Sequence, residues 1–141
     1  MDEQRIIGQT KDVGFQIGVR RTFPITQERA WEIVTSYKYL SLWLGKKPKV
    51  TLEPKTKYVT ETSEGEIRVV KPLQQLRLTW KRIDWEHPST IQVRTMAKDI
   101  NKTTISFHQE KMISKETREK MKIYWKRILD SIEEDLNNES I

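Results

Sequence analysis

The side chains that most often act as nucleophiles, bases or metal ligands are few in this chain. The sequence has no Cys and only two His, His87 and His108. His108 alternates with Ser106 and Glu110 on one face of a predicted strand, so we expect it to face solvent, and His87 lies in a proline turn. His108 and Glu110 would supply two metal ligands where catalytic zinc sites use three from the protein. The sequence therefore predicts no catalytic residue, no metal site and no cofactor.

Carboxylates and glycines show no functional pattern either. Asp84 and Glu86 flank Trp85 near the end of a predicted strand, where a solvated loop is the favoured interpretation. Paired carboxylates would have to point into a cavity to act as acid and base. The five scattered Gly residues form neither a phosphate-binding loop nor a dinucleotide fingerprint.

Aromatic and apolar residues form the more informative set. Strand phase and helix face direct ten side chains towards one interior: Trp43, Tyr58, Ile67, Val69, Leu78, Trp80, Phe107, Met121, Tyr124 and Trp125. Small-molecule pockets are largely apolar with few polar anchors, and Tyr and Trp each bring a polar group. These residues are candidates to line a cavity; the alternative is that they fill a packed core. Trp85 is the tryptophan expected to be partly exposed.

Arg21 is the polar residue that shares the phase of this apolar set. It alternates with Val19 and Phe23 on one strand. The favoured interpretation is an ion pair with an acid at the sheet edge. The alternative is an anchor for the acidic head group of a ligand.

The elements that must position these residues begin with a strand. Apolar residues alternate over 14–23, which predicts a half-buried strand. Thr26 is placed to cap a helix over 27–35. A second helical segment follows over 37–44, and Gly45 is the expected terminator.

The middle of the chain predicts an antiparallel meander. Six β-type runs lie at 49–53, 57–62, 66–71, 75–84, 90–98 and 103–112. Turns are predicted at 63–65, 87–89 and 99–102. The connections are too short for parallel crossovers, which need a dozen or more residues.

A long C-terminal helix is the strongest single element. From Ser114 as its cap, apolar residues recur at helical spacing to Leu136. Such a helix is about 30 Å long, enough to cross a sheet, and its apolar stripe must be buried against the concave side. The prediction is an α+β domain over 13–137, with a curved antiparallel sheet of six to seven strands and flexible ends at 1–12 and 138–141.

Charge and length bound the function classes. The 141 residues carry a formal charge of +6, and the first 129 carry 26 basic and 15 acidic residues, a net of +11. Basic residues gather at 46–57 and on the meander at Arg77, Lys81 and Arg82, without a nucleic-acid-binding motif. A solvated basic face is therefore favoured over specific nucleic-acid binding. No signal-like start or long apolar run is present, so we expect a cytoplasmic protein without a membrane partner.

Several short motifs occur in an order that resembles the activator of heat-shock protein 90 ATPase homologue family, within the START-like (SRPBCC) superfamily. The resemblance covers about residues 13–136. Its motifs are Val19-Arg20-Arg21-Thr22-Phe23-Pro24-Ile25, Ala30-Trp31, Leu42-Trp43-Leu44-Gly45, Gly65-Glu66-Ile67-Arg68-Val69-Val70-Lys71-Pro72, Leu76-Arg77-Leu78-Thr79-Trp80, Thr103-Thr104-Ile105-Ser106-Phe107 and Trp125. The resemblance implies a helix-grip fold, with a cavity between sheet and long helix that the superfamily uses for hydrophobic or aromatic small molecules.

The chain also departs from the family pattern. Ala30 stands where Val is commoner, and Gln109-Glu110-Lys111-Met112 replaces a small, Gly-containing strand end. The eukaryotic co-chaperones of the family carry an additional domain that engages the chaperone, so the resemblance does not by itself establish a chaperone role.

These features give an ordered set of functional hypotheses. The first is a noncatalytic domain, monomeric or weakly dimeric, that binds a small hydrophobic or aromatic molecule. The alternative is a chaperone-cofactor-like or stress-related interaction module with a chaperone as partner. A START-like enzyme ranks third, because it requires a buried titratable group with a perturbed pKa. Nucleic-acid binding ranks fourth.

Overall fold

A computed structural model describes residues 9–10 and 14–139. Its elements, in chain order, are β1 (Gln9–Thr10), β2 (Gly14–Phe23), α1 (Gln27–Thr35), α2 (Tyr37–Trp43), β3 (Lys57–Val59), β4 (Ser63–Lys71), β5 (Gln75–Arg82), β6 (Ser89–Asp99), β7 (Lys102–Met112) and α3 (Lys115–Glu139). The predicted domain limits and flexible ends fall partly outside these residues and stay a prediction.

The strands form one antiparallel sheet of seven in the order β1-β2-β7-β6-β5-β4-β3. Helix α3 buries its apolar stripe, including Met121, Trp125 and Leu129, in the core. Arg118 of α3 donates from Nε to the Gln16 carbonyl at 2.8 Å, which ties the start of the helix to β2. The α+β helix-grip arrangement predicted from the sequence is confirmed.

The helices begin where their capping residues predict. The Thr26 hydroxyl accepts from the Arg29 N–H at 3.1 Å, and the Ser114 hydroxyl accepts from the Thr117 N–H at 3.1 Å. Gly45 follows the end of α2 with φ of 151°, and a Cβ there would overlap Thr60 Oγ1. A side chain at position 45 is therefore excluded by both conformation and space.

The turn predicted at 63–65 is wrong, because these residues open β4. The chain reverses earlier, where Thr60 Oγ1 accepts from the N–H groups of Thr62 and Ser63 at 3.0 and 2.9 Å. Gly65 lies inside the strand, at a position where a Cβ would overlap the Thr79 carbonyl. The glycine permits close backbone approach and does not mark a turn.

The first predicted run of the meander is also wrong. Over 49–53 the structure has a single bridge, in which Lys49 and Val59 exchange backbone hydrogen bonds of 2.9 and 3.3 Å. The run predicted over 57–62 ends at Val59, where the Thr60 turn begins. Hydrogen bonds between Thr side chains and the backbone compete with strand pairing in this segment. The runs predicted over 49–53 and 57–62 are therefore both shorter than predicted.

Candidate functional site

The structure brings together most of the predicted interior set around three rings from three elements. Trp43 of α2, Phe107 of β7 and Trp125 of α3 are all 0% exposed. Phe107 and Trp125 stack with centroids 4.6 Å apart at 14°, and Trp43 is 6.1 and 6.2 Å from them at tilted angles. Contacts at these distances leave no space for another ring between these three side chains.

A second aromatic group continues this packing towards the end of β5. The Trp80 ring lies 6.0 Å from Tyr124, which meets Trp125 edge-on at 5.0 Å. Trp85 is half-buried and packs edge-on against Trp80 at 5.3 Å. The aromatic residues therefore form one connected wall from Trp43 to Trp85.

The indole N–H groups of the buried tryptophans in this wall are already bonded within the chain. Trp43 Nε1 donates to the Val34 carbonyl at 2.9 Å, and Trp80 Nε1 donates to the Leu44 carbonyl at 2.7 Å. Both acceptors belong to the helical segment that follows β2. The first bond joins α2 to α1 and the second joins the end of α2 to β5, so neither indole presents its donor to a ligand.

Gln109 completes the polar network of the interior. It is 0% exposed, its Oε1 accepts from Trp125 Nε1 at 2.9 Å, and its Nε2 donates to Ser89 Oγ at 2.9 Å. Ser89 Oγ in turn donates to the Trp80 carbonyl at 2.8 Å. Sequence reasoning missed this residue, although alternation with Ile105 and Phe107 places it on the inward face.

The two predicted tyrosines are likewise bonded internally. Tyr58 donates to the Thr79 carbonyl at 2.7 Å, and Tyr124 donates to the Trp43 carbonyl at 2.6 Å. Burial raises the pKa of both hydroxyls above the ordinary value of 10. The shift moves them away from neutral pH, so they remain hydrogen-bond donors and supply no general base.

The remaining predicted residues divide at a β-bulge. Ile67, Leu78 and Met121 are buried in the core, whereas Val69 is half-buried and lies opposite Arg77. The register of β4 shifts between Ile67 and Val69, which places Val70 opposite the buried Leu76. Val70, not Val69, packs against the core. Alternation read without the bulge chose the wrong one of the two valines.

Arg21 lies beside α3. Its Nη1 donates to Asp130 Oδ1 at 2.8 Å and to Glu133 Oε1 at 3.1 Å. The acids that pair with it belong to the helix and not to the sheet edge. Because both carboxylates face the guanidinium, Arg21 is engaged in holding α3 to β2.

A surface cleft of about 570 Å³ separates α1 and α2 from the end of α3. Ile33, Ile132 and Leu136 are among its lining residues. Ion pairs cross it from Arg29 to Glu139 at 2.6 Å and from Lys38 to Asp135 at 2.8 Å. Sequence reasoning did not find this cleft, because its members lie about a hundred residues apart in the chain.

Hydrogen bonds determine the protonation state of Asp135, one of the carboxylates at this cleft. The Lys38 ammonium and then the Tyr39 hydroxyl, both donating to Asp135, lower the pKa of that carboxyl below its ordinary value. Burial and then the Asp135 hydrogen bond raise the pKa of Tyr39. Asp135 is therefore held ionised and Tyr39 is held protonated.

His108 lies on the outer face of the sheet. Its Nε2 is 3.1 Å from Gln16 Oε1, and its Nδ1 is 4.0 Å from Glu110 Oε1. Among the residues that the structure describes, no group of three or more His, Cys, Asp and Glu side chains is placed to hold a metal ion. No helix within the described ranges is long and apolar enough to cross a membrane.

Comparison with known proteins agrees with this architecture. A protein from Mesorhizobium loti has a TM-score of 0.75 at 16% identity, with 87% of this chain and 97% of that chain covered. An HSP90 activator from Plasmodium falciparum has a TM-score of 0.74 at 20% identity, covering 88% and 97%. The AHSA1 protein from Silicibacter pomeroyi has a TM-score of 0.73 at 14% identity, covering 88% and 99%. At these identities the likeness shows the fold.

The sequence comparison shows the family. No curated protein matches the chain. The profile described as Activator of Hsp90 ATPase homolog 1-like protein matches residues 24–137, which span both short helices, the meander and most of α3. The chain therefore belongs to the Activator of Hsp90 ATPase homolog 1-like family, as its motifs indicate.

Proposed function

We propose that this domain is a noncatalytic protein-interaction module of the chaperone-cofactor kind, which acts through its surface. At the level of the family, the fold supports either a ligand-binding domain or an Hsp90-activator-like domain. The observation that favours the second is the filled aromatic interior. Trp43, Phe107 and Trp125 pack directly on one another, and their polar neighbours are bonded within the chain.

An interior ligand would have to displace this packing. Pockets for small molecules usually enclose about 300 Å³ or more. Opening that volume beside Trp125 would break its stacking on Phe107 and its bond to Gln109. Recognition at the surface requires neither loss.

Similarity to a known activator supports the choice of partner. The Plasmodium falciparum protein of this fold is described as an HSP90 activator. We extend that partner class to this chain as part of the proposal. The cytoplasmic location predicted from the sequence belongs to the same proposal, and cell fractionation tests it.

The direct test is the ATPase rate of a purified Hsp90 chaperone with and without the chain. We expect stimulation that saturates with added protein, together with a complex in a pull-down at low salt. A specific inhibitor of the chaperone ATPase provides the control, because the rate that remains in its presence is due to contaminating enzymes and is subtracted. No stimulation and no complex would contradict the proposal.

Binding of a small hydrophobic or aromatic molecule between sheet and α3 is the second candidate. The observation that favours it is the place of the wall between helices and sheet, with Trp43, Tyr124 and Trp125 on α2 and α3. Native mass spectrometry and tryptophan quenching with a fatty acid, a flavonoid and an aromatic polyketide test it. A bound mass together with a raised Tm would support it, and neither effect with any probe would exclude these ligand classes.

A further inference from the structure

The outer face of the sheet carries a row of cations that the core and the helices do not use. Across five strands, the register aligns Arg20, Ser106, Arg94, Gln75 and Lys71 side by side. Directly opposed residues of neighbouring strands share a face of the sheet. The row therefore places a cation on every second strand.

The spacing of this row follows from sheet geometry. The backbones of neighbouring strands lie about 4.8 Å apart. The Cα atoms of Arg20 and Arg94 are therefore about 10 Å apart, and the Cα atom of Lys71 is about 10 Å further along. All three side chains are exposed. None of them forms an ion pair or a side-chain hydrogen bond with a residue that the structure describes. We name these three residues the outer cation row.

Acidic groups near this row are scarce. In β2, β4, β5, β6 and β7 the acids are Glu64 and Glu66 near the start of β4, Asp99 at the end of β6, and Glu110. Glu66 already pairs with Arg68 of its own strand at 3.1 Å. Glu110 is already close to two cationic or titratable groups, with Arg77 Nη2 at 3.8 Å and His108 Nδ1 at 4.0 Å. The charge of the outer cation row is therefore not balanced within the fold.

We infer that the outer cation row is a docking surface for an acidic segment or surface of a partner protein. The inference rests on the proposed function in one respect, namely that the partner is a protein. Two of the three cations are guanidinium groups, which bind carboxylates bidentately and remain charged at all physiological pH values. A partner that presents carboxylates at a similar spacing matches the row in charge.

A nucleic acid fits this face less well than carboxylates do. Proteins that bind single strands stack bases on exposed aromatic rings, and those that read duplexes insert a helix or ribbon into a groove. The aligned row has no aromatic residue, and Phe107 and Trp80 of the same strands are buried on the other face. The aligned row also belongs to the middle of a continuous sheet, which is neither a helix nor a two-stranded ribbon that could enter a groove.

A second copy of the chain is not the occupant either. Its acidic helix end is the obvious complement, but those carboxylates are engaged in their own chain. Asp130 and Glu133 pair with Arg21, while Asp135 and Glu139 pair with Lys38 and Arg29. Glu134 is the acid of this stretch that forms no ion pair with a described residue. The surface therefore fits a foreign acidic partner.

The test compares two triple variants of equal charge. R20Q/K71Q/R94Q removes the outer cation row, and K115Q/K122Q/K126Q removes three exposed lysines of α3, on the opposite side of the sheet. Labelled poly-L-glutamate is the probe, with fluorescence anisotropy read at about 50 mM and about 200 mM salt. We expect the row variant to bind about tenfold more weakly than the native chain, and the α3 variant to change less than threefold.

The outcomes separate this inference from the proposed function. Equal losses in both variants, or none in either, would overturn it, because binding would then depend on net charge or on another face. Tighter binding of oligothymidine through the same row would overturn it in favour of nucleic acid. A chaperone whose ATPase responds equally to both variants would leave the proposed function standing and overturn the docking surface. Row-dependent peptide binding without any chaperone effect would support the surface and contradict the proposed function.

Discussion

Arg20 and Arg21 are neighbours in β2, yet they lie in opposite environments. Arg21 reaches the concave side and donates to Asp130 and Glu133 of α3. Arg20 lies exposed on the outer face, without an ion pair or side-chain hydrogen bond to a described residue. The same contrast holds for the sheet as a whole. On the concave side the aromatic rings and the buried Gln109 amide are packed and bonded, and on the outer face the aligned cations form no ion pair with any residue that the structure describes. The concave side therefore maintains the fold, and the outer face is available for recognition.

Replacing the central ring of the concave side is the strongest way to break this comparison. Trp125→Ala is expected to lower the free energy of unfolding by about 3–5 kcal/mol, because it removes a fully buried ring that stacks on Phe107. Urea denaturation measures the loss. Lys126→Ala, at the next and exposed position, is the matched control and should change stability by less than about 0.5 kcal/mol.

The same variant also tests whether the interior is filled. Indole should bind in the space that Trp125→Ala leaves and raise the Tm of the variant, while the Tm of the native chain stays unchanged. A native chain that binds indole equally well would show that the concave side already holds an open cavity. A loss of stability below about 1 kcal/mol would lead to the same conclusion.

The buried amide gives a smaller and more specific test. Gln109→Leu keeps an apolar body in place but leaves the Trp125 N–H without an acceptor, so we expect a loss of about 1–3 kcal/mol. Gln92→Leu, on the outer face of the neighbouring strand, is the matched control. In a Trp125→Phe background the cost of Gln109→Leu should fall, because the unpaired donor is gone. Equal costs in both backgrounds would contradict the role of this bond.

Capping residues and apolar spacing predict the helices well, because both act within the helix that they determine. The bounds of α1 agree with the prediction over 27–35, since the Thr26 cap and the apolar spacing act within the helix itself. One failure lies at 63–65, where Thr60 accepts bonds from Thr62 and Ser63 that no alternation pattern contains. Another lies at 49–53, where a single bridge to Val59 replaces the predicted strand. Side-chain competition for backbone donors depends on geometry that a sequence window does not show.

The site is less predictable than the fold, for three physical reasons. Alternation placed Phe107 and Trp80 correctly in the interior. It failed at Val69, because a bulge shifts the register and Val70 packs against the core instead. Whether large residues enclose a cavity or fill it depends on side-chain packing across elements, and strand phase contains no such information. The partners of Arg21 lie more than a hundred residues away, so its ion pairs are a property of the tertiary fold.

The charged cleft at the end of α3 lies between the two extremes, because its charges are paired but near the surface. Asp135→Asn should lower stability at pH 7 by about 1 kcal/mol or less, since an exposed ion pair with Lys38 contributes little. The pKa of Asp135 is lower in the folded chain than in the unfolded chain. Its contribution is therefore complete above about pH 3.9 and is lost as the pH falls through the folded pKa.

Urea denaturation at neutral pH and at progressively lower pH values measures this dependence. The difference between the native chain and Asp135→Asn should be largest at neutral pH and vanish in strong acid. Glu134→Gln, one position earlier on α3 and without an ion pair to a described residue, is the matched control. A difference that grows as the pH falls would contradict the assignment of an ionised Asp135.

Removing the outer cation row should give the smallest change in stability. This small effect would show most clearly that the outer face does not maintain the fold. Arg20, Lys71 and Arg94 are exposed, without side-chain partners among the described residues, so R20Q/K71Q/R94Q should change the free energy of unfolding by no more than about 0.5 kcal/mol. Urea denaturation of the variant used in the binding test measures this. A loss above about 1 kcal/mol would mean that the row maintains the fold, and the two faces of the sheet would then not differ in role. An unchanged free energy together with lost peptide binding would separate recognition from stability on the two sides of one sheet.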